Sequence, residues 1–228
     1  MKVIEIRNLC KIYNSTQIKV HAVNDVTLDF EEGEFATIVG PSGSGKTTLL
    51  NLLGGLDNPT SGQILVDGTD LSTLKPSALT DFRMRNIGFV FQSYNLIPVL
   101  TAGENVEFIM SLQKVAAKDR EERTFELLKA VGLADRANNR PSRLSGGQQQ
   151  RIAVARALAS KPKFVLADEP TANLDTKSAY VLLDIMEQLN KDEKITFIFS
   201  THDPRVVQKA RRVITLEDGR VVSDEIKK

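Results

Sequence analysis

The sequence predicts an α/β fold: a mostly parallel sheet flanked by helices, with a helical segment inserted between its strands. Three observations predict it. Short apolar runs recur at residues 35–39, 87–91, 164–167, 195–200 and 213–216, each bounded by polar or glycine-containing turns. Amphipathic stretches lie between them, and strands that alternate with helices imply parallel pairing. From 93 to 160 the strand signals stop and helical ones replace them.

The elements follow in order. Residues 3–9 and 23–30 alternate between apolar and polar side chains, with Val26, Leu28 and Phe30 on one face, so the first part of the chain is β-rich. Glu31-Glu32-Gly33-Glu34 turns into the buried strand 35–39. A helix over 47–53 follows, stopped by Gly54-Gly55. Ile64-Leu65-Val66 leads into the hairpin-type turn Asp67-Gly68. Strand 87–91 ends at Gln92. Thr101 and Glu104 form a capping box for a helix reaching about Gln113. A second helix covers 118–131, with Asp119, Glu121 and Glu122 in its acidic first turn and Gly132 at its end. Residues 176–190 form a helix with Val181, Leu182, Ile185, Met186 and Leu189 on one face. Asp218-Gly219 turns the strand 213–216 back into Arg220-Val221-Val222. The expected division is a core from 1–92 and 161–228 and a helical subdomain from 93–160.

Composition narrows the class. A length of 228 residues suits one large α/β domain, and a net charge of +1 gives no footprint for nucleic acid or for an anionic membrane surface. The single cysteine, Cys10, cannot form an internal disulfide, which fits a reducing compartment. Charges at Lys2, Glu5 and Arg7 interrupt the region where a signal peptide needs an apolar core. No stretch approaches the ~18 apolar residues of a membrane span, so any membrane role requires a separate partner.

The chemistry begins between strand 35–39 and the next helix. Gly40, Pro41, Ser42, Gly43, Ser44, Gly45, Lys46 and Thr47 match the pattern G-x-x-x-x-G-K-[ST] at every fixed position. Its glycines let successive N–H groups point into one concavity, and the helix start behind them adds positive potential. Lys46 can reach β- and γ-phosphates, and the Thr47 hydroxyl can ligate Mg²⁺. Strand 164–167 ends in Asp168 and Glu169. After a phosphate-binding loop, Asp168 reads as a Mg²⁺ residue and Glu169 as a base for an attacking water. His202 follows strand 195–200, on the same edge of the sheet, where an imidazole can bond a phosphate oxygen or orient water. Gln92 ends strand 87–91 and can bind Mg²⁺ or water; taken alone, such a glutamine is usually surface. His21 has no companions and receives no role.

A second helix start carries Ser145, Gly146, Gly147 and Gln148, with Ser145 and Gln148 as a capping box. One nucleotide needs one such anion site, and the chain has two. Either this is a glycine-rich cap, or it binds the γ-phosphate held by a second copy of the chain.

These motifs in this order resemble the nucleotide-binding domain of ATP-binding-cassette (ABC) transporters, over about 4–222. The resemblance implies a P-loop NTPase (RecA-like) core with an antiparallel β subdomain and an inserted α-helical subdomain. It implies that Tyr13 stacks on adenine and that residues 40–48, including Thr48, are the Walker A loop. It makes Gln92 the residue that senses Mg²⁺ and the membrane partner, and Ser145-Gly146-Gly147-Gln148 part of the signature. Asp168 closes Walker B, Glu169 is the catalytic base, Asn173-Leu174-Asp175 belong to the D-loop, and His202 is the switch histidine. The cofactors implied are ATP and Mg²⁺. The partners implied are a second copy, head to tail with ATP sandwiched between, and an integral membrane permease subunit, with no nucleic acid. The place implied is the cytoplasmic face of a membrane.

Finer features, such as Leu53-Gly54-Gly55-Leu56-Asp57, Asn95-Leu96-Ile97-Pro98 and Ala167-Asp168-Glu169-Pro170-Thr171, are similar to the LolD/MacB-type branch, which serves lipoprotein release, peptide or macrolide export and cell-division signalling. Ala172 departs from it, standing where glycine is common. Signalling without cargo, or a soluble ABC ATPase on DNA or ribosomes, are the alternatives.

Overall fold

The computed structural model describes residues 1–14 and 19–227. Two sheets organise them. The first is antiparallel, in the order β2-β1-β4-β5, from β1 (Lys2–Tyr13), β2 (Val20–Glu31), β4 (Ser61–Val66) and β5 (Thr69–Asp70). The second has β3 (Phe35–Val39) inside the order β10-β9-β3-β8-β7-β6, with β6 (Ile87–Val90), β7 (Phe164–Asp168), β8 (Thr196–Ser200), β9 (Arg212–Glu217) and β10 (Arg220–Ile226). Its pairings are parallel except β9–β10. The parallel core and the antiparallel β unit are therefore both present.

Side-chain alternation on the parallel strands divides the interior in two. Phe35, Val165, Ala167, Phe197 and Phe199 face one apolar cluster; Ala36, Ile38, Phe164, Leu166 and Ile198 face the other. Both faces are covered, which is why these strands read as unbroken apolar runs. The Phe35 and Phe199 rings sit 4.8 Å apart and are fully buried. Emptying that contact, as in Phe199→Ala, would cost about 3–5 kcal/mol.

Helix α1 (Lys46–Leu53) packs on the side of the antiparallel sheet, burying Leu49, Leu50, Leu52 and Leu53. Helices α3 (Ala102–Leu112), α4 (Ala117–Ala130) and α5 (Gly146–Leu158) fall between β6 and β7 and cover the opposite face. Both expected capping boxes form, at Thr101/Glu104 and at Ser145/Gln148. Gly132, at φ 69°, lies just beyond α4.

Helix α6 (Thr176–Glu193) differs in detail from the expected face. Val181 is exposed, and Ala179, Leu182, Leu183, Met186 and Leu189 are buried, because the helix rolls its Leu183 edge toward the sheet. Helix α2 (Pro76–Asn86) starts at Pro76 and buries no residue fully; its only apolar contacts with the core are the part-buried Leu79 and Phe82. The short α7 (Pro204–Lys209) also starts at a proline and buries only Val206.

Candidate functional site

Parallel strands β3, β6, β7 and β8 all deliver their carboxyl ends to one edge of the sheet, where open α/β folds bind ligands. A cavity of about 770 Å³ opens there. It is lined by Gly40, Pro41, Ser42, Gly43, Gly45, Lys46, Thr47 and Thr48 from the loop, by Gln92, Glu169 and His202 from the strand ends, and by Tyr13 and His21 at the rim.

The loop can hold its shape only with glycine at two points. Gly40 has φ 152°, and a Cβ there would sit 2.0 Å from the Leu216 carbonyl oxygen. Gly45 has φ 100°, and a Cβ there would sit 2.0 Å from the Ala22 carbonyl oxygen. Gly45 caps α1 without a side-chain bond, and the first turn holds no acidic residue. The Ser44 hydroxyl is buried without a partner. Lys46 Nζ donates to the Gly40 and Pro41 carbonyls, each at 2.8 Å, so its ammonium arches over the loop. Free helix N–H groups, a buried hydroxyl and an ammonium around one concavity fit a polyphosphate.

Beside the loop the strand end presents hard oxygens that could hold a metal ion. The Thr47 hydroxyl donates to Asp168 at 3.3 Å, joining the start of α1 to the end of β7. Burial raises the Asp168 carboxyl above its ordinary value, and hydrogen bonds and the Lys46 charge only partly offset it. A half-buried carboxylate beside a hydroxyl fits Mg²⁺. Among the described residues there is no cluster of three or more His, Cys, Asp and Glu side chains able to hold a metal, so the remaining ligands would come from phosphate and water.

Glu169 follows in a left-handed conformation, φ 45°, with its N–H bonded to the Ser200 carbonyl. Its carboxylate accepts the Thr201 hydroxyl at 2.8 Å and the His202 amide at 3.2 Å, and lies 2.6 Å from His202 Nδ1. The His202 ring is mostly exposed, and the Glu169 carboxylate is largely enclosed. One strand end thus holds the acid and the neighbouring strand end holds it in place. Thr201 is an addition from the structure, since nothing in the sequence marks a threonine beside a histidine as a carboxylate anchor.

Gln92 reaches the cavity, and its main-chain oxygen accepts from Asn173 at 3.0 Å. Behind it, Gln150 donates to the Phe91 and Pro170 carbonyls, and the Arg156 guanidinium donates to the carbonyls of Tyr94 and Asn95. Tyr94 and Asn95 are consecutive left-handed residues, φ 56° and 51°. Burial lowers the Arg156 pKa. These contacts tie the Gln92 segment to helix α5. His21, given no role from sequence, lines the rim.

Ser145, Gly146, Gly147 and Gln148 are not among the residues lining the cavity of the same chain. They start α5 beside Tyr94 and Ser178, with Ser145 exposed. The chain therefore carries a glycine loop whose geometry fits phosphate and a separate helix start, with Ser145 exposed, outside that cavity.

Comparison with known proteins agrees with this geometry. The sequence model described as "ABC transporter" matches residues 23–172. An uncharacterised ABC transporter ATP-binding protein of Thermotoga maritima is 49% identical over 220 residues, covering 96% of this chain and 94% of that protein. The macrolide export ATP-binding/permease protein MacB of Brucella abortus is 45% identical over 225 residues, covering 99% of this chain and 35% of that longer protein. Among solved structures, a dimeric post-hydrolysis state of the ATP-binding cassette MJ0796, from Methanocaldococcus jannaschii, bound to ADP and Pi, superposes with a TM-score of 0.90 at 41% identity, covering 99% of both chains. The chain belongs to the ABC transporter family, as one of its ATP-binding cassettes.

Proposed function

We propose that this chain is the ATP-hydrolysing subunit of a transporter, dimerising with a second copy around ATP and driving a separate integral membrane permease from the cytoplasmic face. The observation that carries the reading is the split between the cradle at 40–48 and the Ser145 helix start outside it. A site completed only by a second copy explains why one chain has two anion-binding helix starts. The solved relative MJ0796 is itself dimeric.

The roles follow from the chemistry of each group. The 40–45 loop and the start of α1 bind the phosphates, and Lys46 swings from its loop carbonyls to a phosphate oxygen. Thr47, Asp168 and Gln92 hold Mg²⁺, which when bound neutralises charge on the phosphates. Glu169 accepts the proton of the attacking water, and His202 fixes the carboxylate that does so. Tyr13 stacks on the base. Ser145 and its glycines close the site from the partner copy.

The helical subdomain 93–160 passes the change at Gln92 on to the permease, which docks beside 92–105. No described helix is long and apolar enough to cross a membrane, so the permease must be another chain or another domain. MacB, at 45% identity, carries macrolide export and permease in its name, which supports the LolD/MacB-type reading: lipoprotein release, or peptide or macrolide export.

The test is Glu169→Gln. It should bind ATP as the parent does, lose turnover, and elute as a dimer in ATP but as a monomer without it. A variant that stays monomeric in saturating ATP would sink the composite-site reading.

A further inference from the structure

Residue Tyr13 does not stand alone at the rim. Its hydroxyl donates to Asp57 Oδ2 at 2.7 Å. Lys11 Nζ donates to the other carboxylate oxygen, also at 2.7 Å, and to the Asn58 carbonyl. The same ammonium lies over the Tyr13 ring, 4.9 Å from its centroid. Three side chains thus close a triangle: acid to phenol, acid to amine, amine to ring. Lys11 is mostly enclosed, with 13% of its side chain exposed, so its charge is not simply solvated. Burial raises the Tyr13 pKa and the hydrogen bond to Asp57 adds to it, so the phenol keeps its proton to donate. Burial alone would raise the Asp57 carboxyl, but Lys11 and Tyr13 outweigh it and hold it low, as an acceptor.

The placement matters as much as the contacts. Asp57 sits in the loop that follows α1, and its amide is bonded back to the Asn51 carbonyl of that helix. Helix α1 starts at the phosphate loop. One rigid helix therefore anchors the phosphate cradle at its start and, through Asp57, the aromatic ring at its end. Tyr13 precedes the segment 15–18 and is half-exposed at a strand end, where an unrestrained ring would rotate freely.

We propose that Asp57 and Lys11 are positioning residues for nucleotide base binding: they lock the Tyr13 ring, cover one of its faces with the Lys11 ammonium, and leave the other face to a purine. The inference rests on the reading that Tyr13 stacks on the base. A fixed ring loses little freedom when a base lands on it. Neither residue touches the nucleotide; both act through Tyr13.

The experiment compares two probes, Mg-ATP and inorganic Mg-tripolyphosphate, on Tyr13→Phe, Asp57→Ala, their double variant and Tyr13→Ala. Tyr13→Phe keeps the ring and the fold and removes only the anchor bond. We expect Tyr13→Phe and Asp57→Ala each to raise Kd and KM for ATP about five-fold. The double variant should be no worse than either single one, kcat at saturating ATP should be unchanged, and tripolyphosphate affinity should stay at the parent value. Parent-like ATP affinity in Tyr13→Phe, with weakened binding in Tyr13→Ala, would overturn the positioning role and leave stacking intact. Parent-like affinity in Tyr13→Ala would overturn stacking itself. Equal losses for ATP and tripolyphosphate would mean that Asp57 merely supports α1. Should Asp57→Ala fail to fold, Tyr13→Phe decides the matter alone.

Discussion

The Glu169 carboxylate and the His202 imidazole lie 2.6 Å apart, carboxylate oxygen to Nδ1, across the ends of two neighbouring parallel strands. Thr201 bonds the other oxygen of the same carboxylate. An acid held on both sides is positioned before any substrate arrives. Removing the base chemistry by Glu169→Gln should lower kcat about 10²–10⁴-fold. Removing only its clamp by His202→Ala should lower kcat less and leave ATP affinity within about two-fold. Steady-state turnover of both single variants and the double variant checks this. The double variant should match Glu169→Gln, since a clamp has nothing to act on once the carboxylate is gone. Additive losses would separate the two residues.

Asp168 gives a prediction of opposite sign for stability and function. Its carboxyl is raised by burial, so the folded protein holds that proton to higher pH than the unfolded chain does. Stability from this group falls as pH rises past the unfolded value, and at pH 7 the ionised form is a net cost. Asp168→Asn should therefore raise the melting temperature of the protein without ligand. The same variant should lose the extra stabilisation that Mg²⁺ adds to ATP. Thermal melts with ATP, with and without Mg²⁺, read both effects. A lower melting temperature without ligand would contradict the assignment.

The two glycine classes in the loop should part company. Gly40→Ala forces a Cβ against the Leu216 carbonyl and should cost more than ~3 kcal/mol of stability. Gly43, at φ 81°, has nothing within 4 Å of an added Cβ. Gly43→Ala should cost only about 1–2 kcal/mol, from backbone strain alone. Urea unfolding of the two variants, run without nucleotide, separates packing from strain.

Much of this site was legible in sequence, for a stated reason. The loop at 40–47, the acids at 168–169 and His202 all follow apolar runs directly, and a parallel sheet sends every such run to one edge. Local order in the chain therefore became proximity in space. Contacts between distant side chains left no such trace. Tyr13 and Asp57 are 44 residues apart, and Arg156 meets Asn95 over 61. Helix α2 buries no residue fully and packs only Leu79 and Phe82 against the core, too short an apolar pattern to mark a helix. On α6 the apolar period marks the helix, but the choice between Val181 and Leu183 is made by the tertiary roll of the helix.

Acid should weaken the fold through Asp203, which sits one residue after the clamp. Burial alone would raise its carboxyl, but bonds from Arg205 and Thr171 outweigh burial and hold it at about 2. A folded value below the unfolded one contributes stability above the unfolded value, lost as pH falls toward the folded one. The window therefore runs from the ordinary carboxyl value of 3.8 down to about 2. Asp203→Asn should lose about 1 kcal/mol at pH 7, allowing for solvent near Arg205. It should also show a flatter stability curve across that window. Chemical denaturation from pH 7 to pH 2.5 is the measurement.

The sharpest prediction concerns the Ser145 helix start, which does not line its own chain's cavity. In a two-fold dimer with composite sites, Lys46→Ala spoils the cradle and leaves the Ser145 end intact, and a bulky change such as Ser145→Arg does the reverse. Each variant alone is inactive at both sites. In a mixed dimer one site receives both damaged halves and the other receives two sound halves. Mixing equal amounts should therefore restore turnover to about a quarter of the parent rate, since half of the dimers are mixed and each has one working site. Turnover of the parent should also rise faster than linearly with dilute protein, because two chains must meet before either works. A site complete within one chain predicts no rescue on mixing and strictly linear activity. A cap with no partner role predicts that Ser145→Arg alone keeps its turnover.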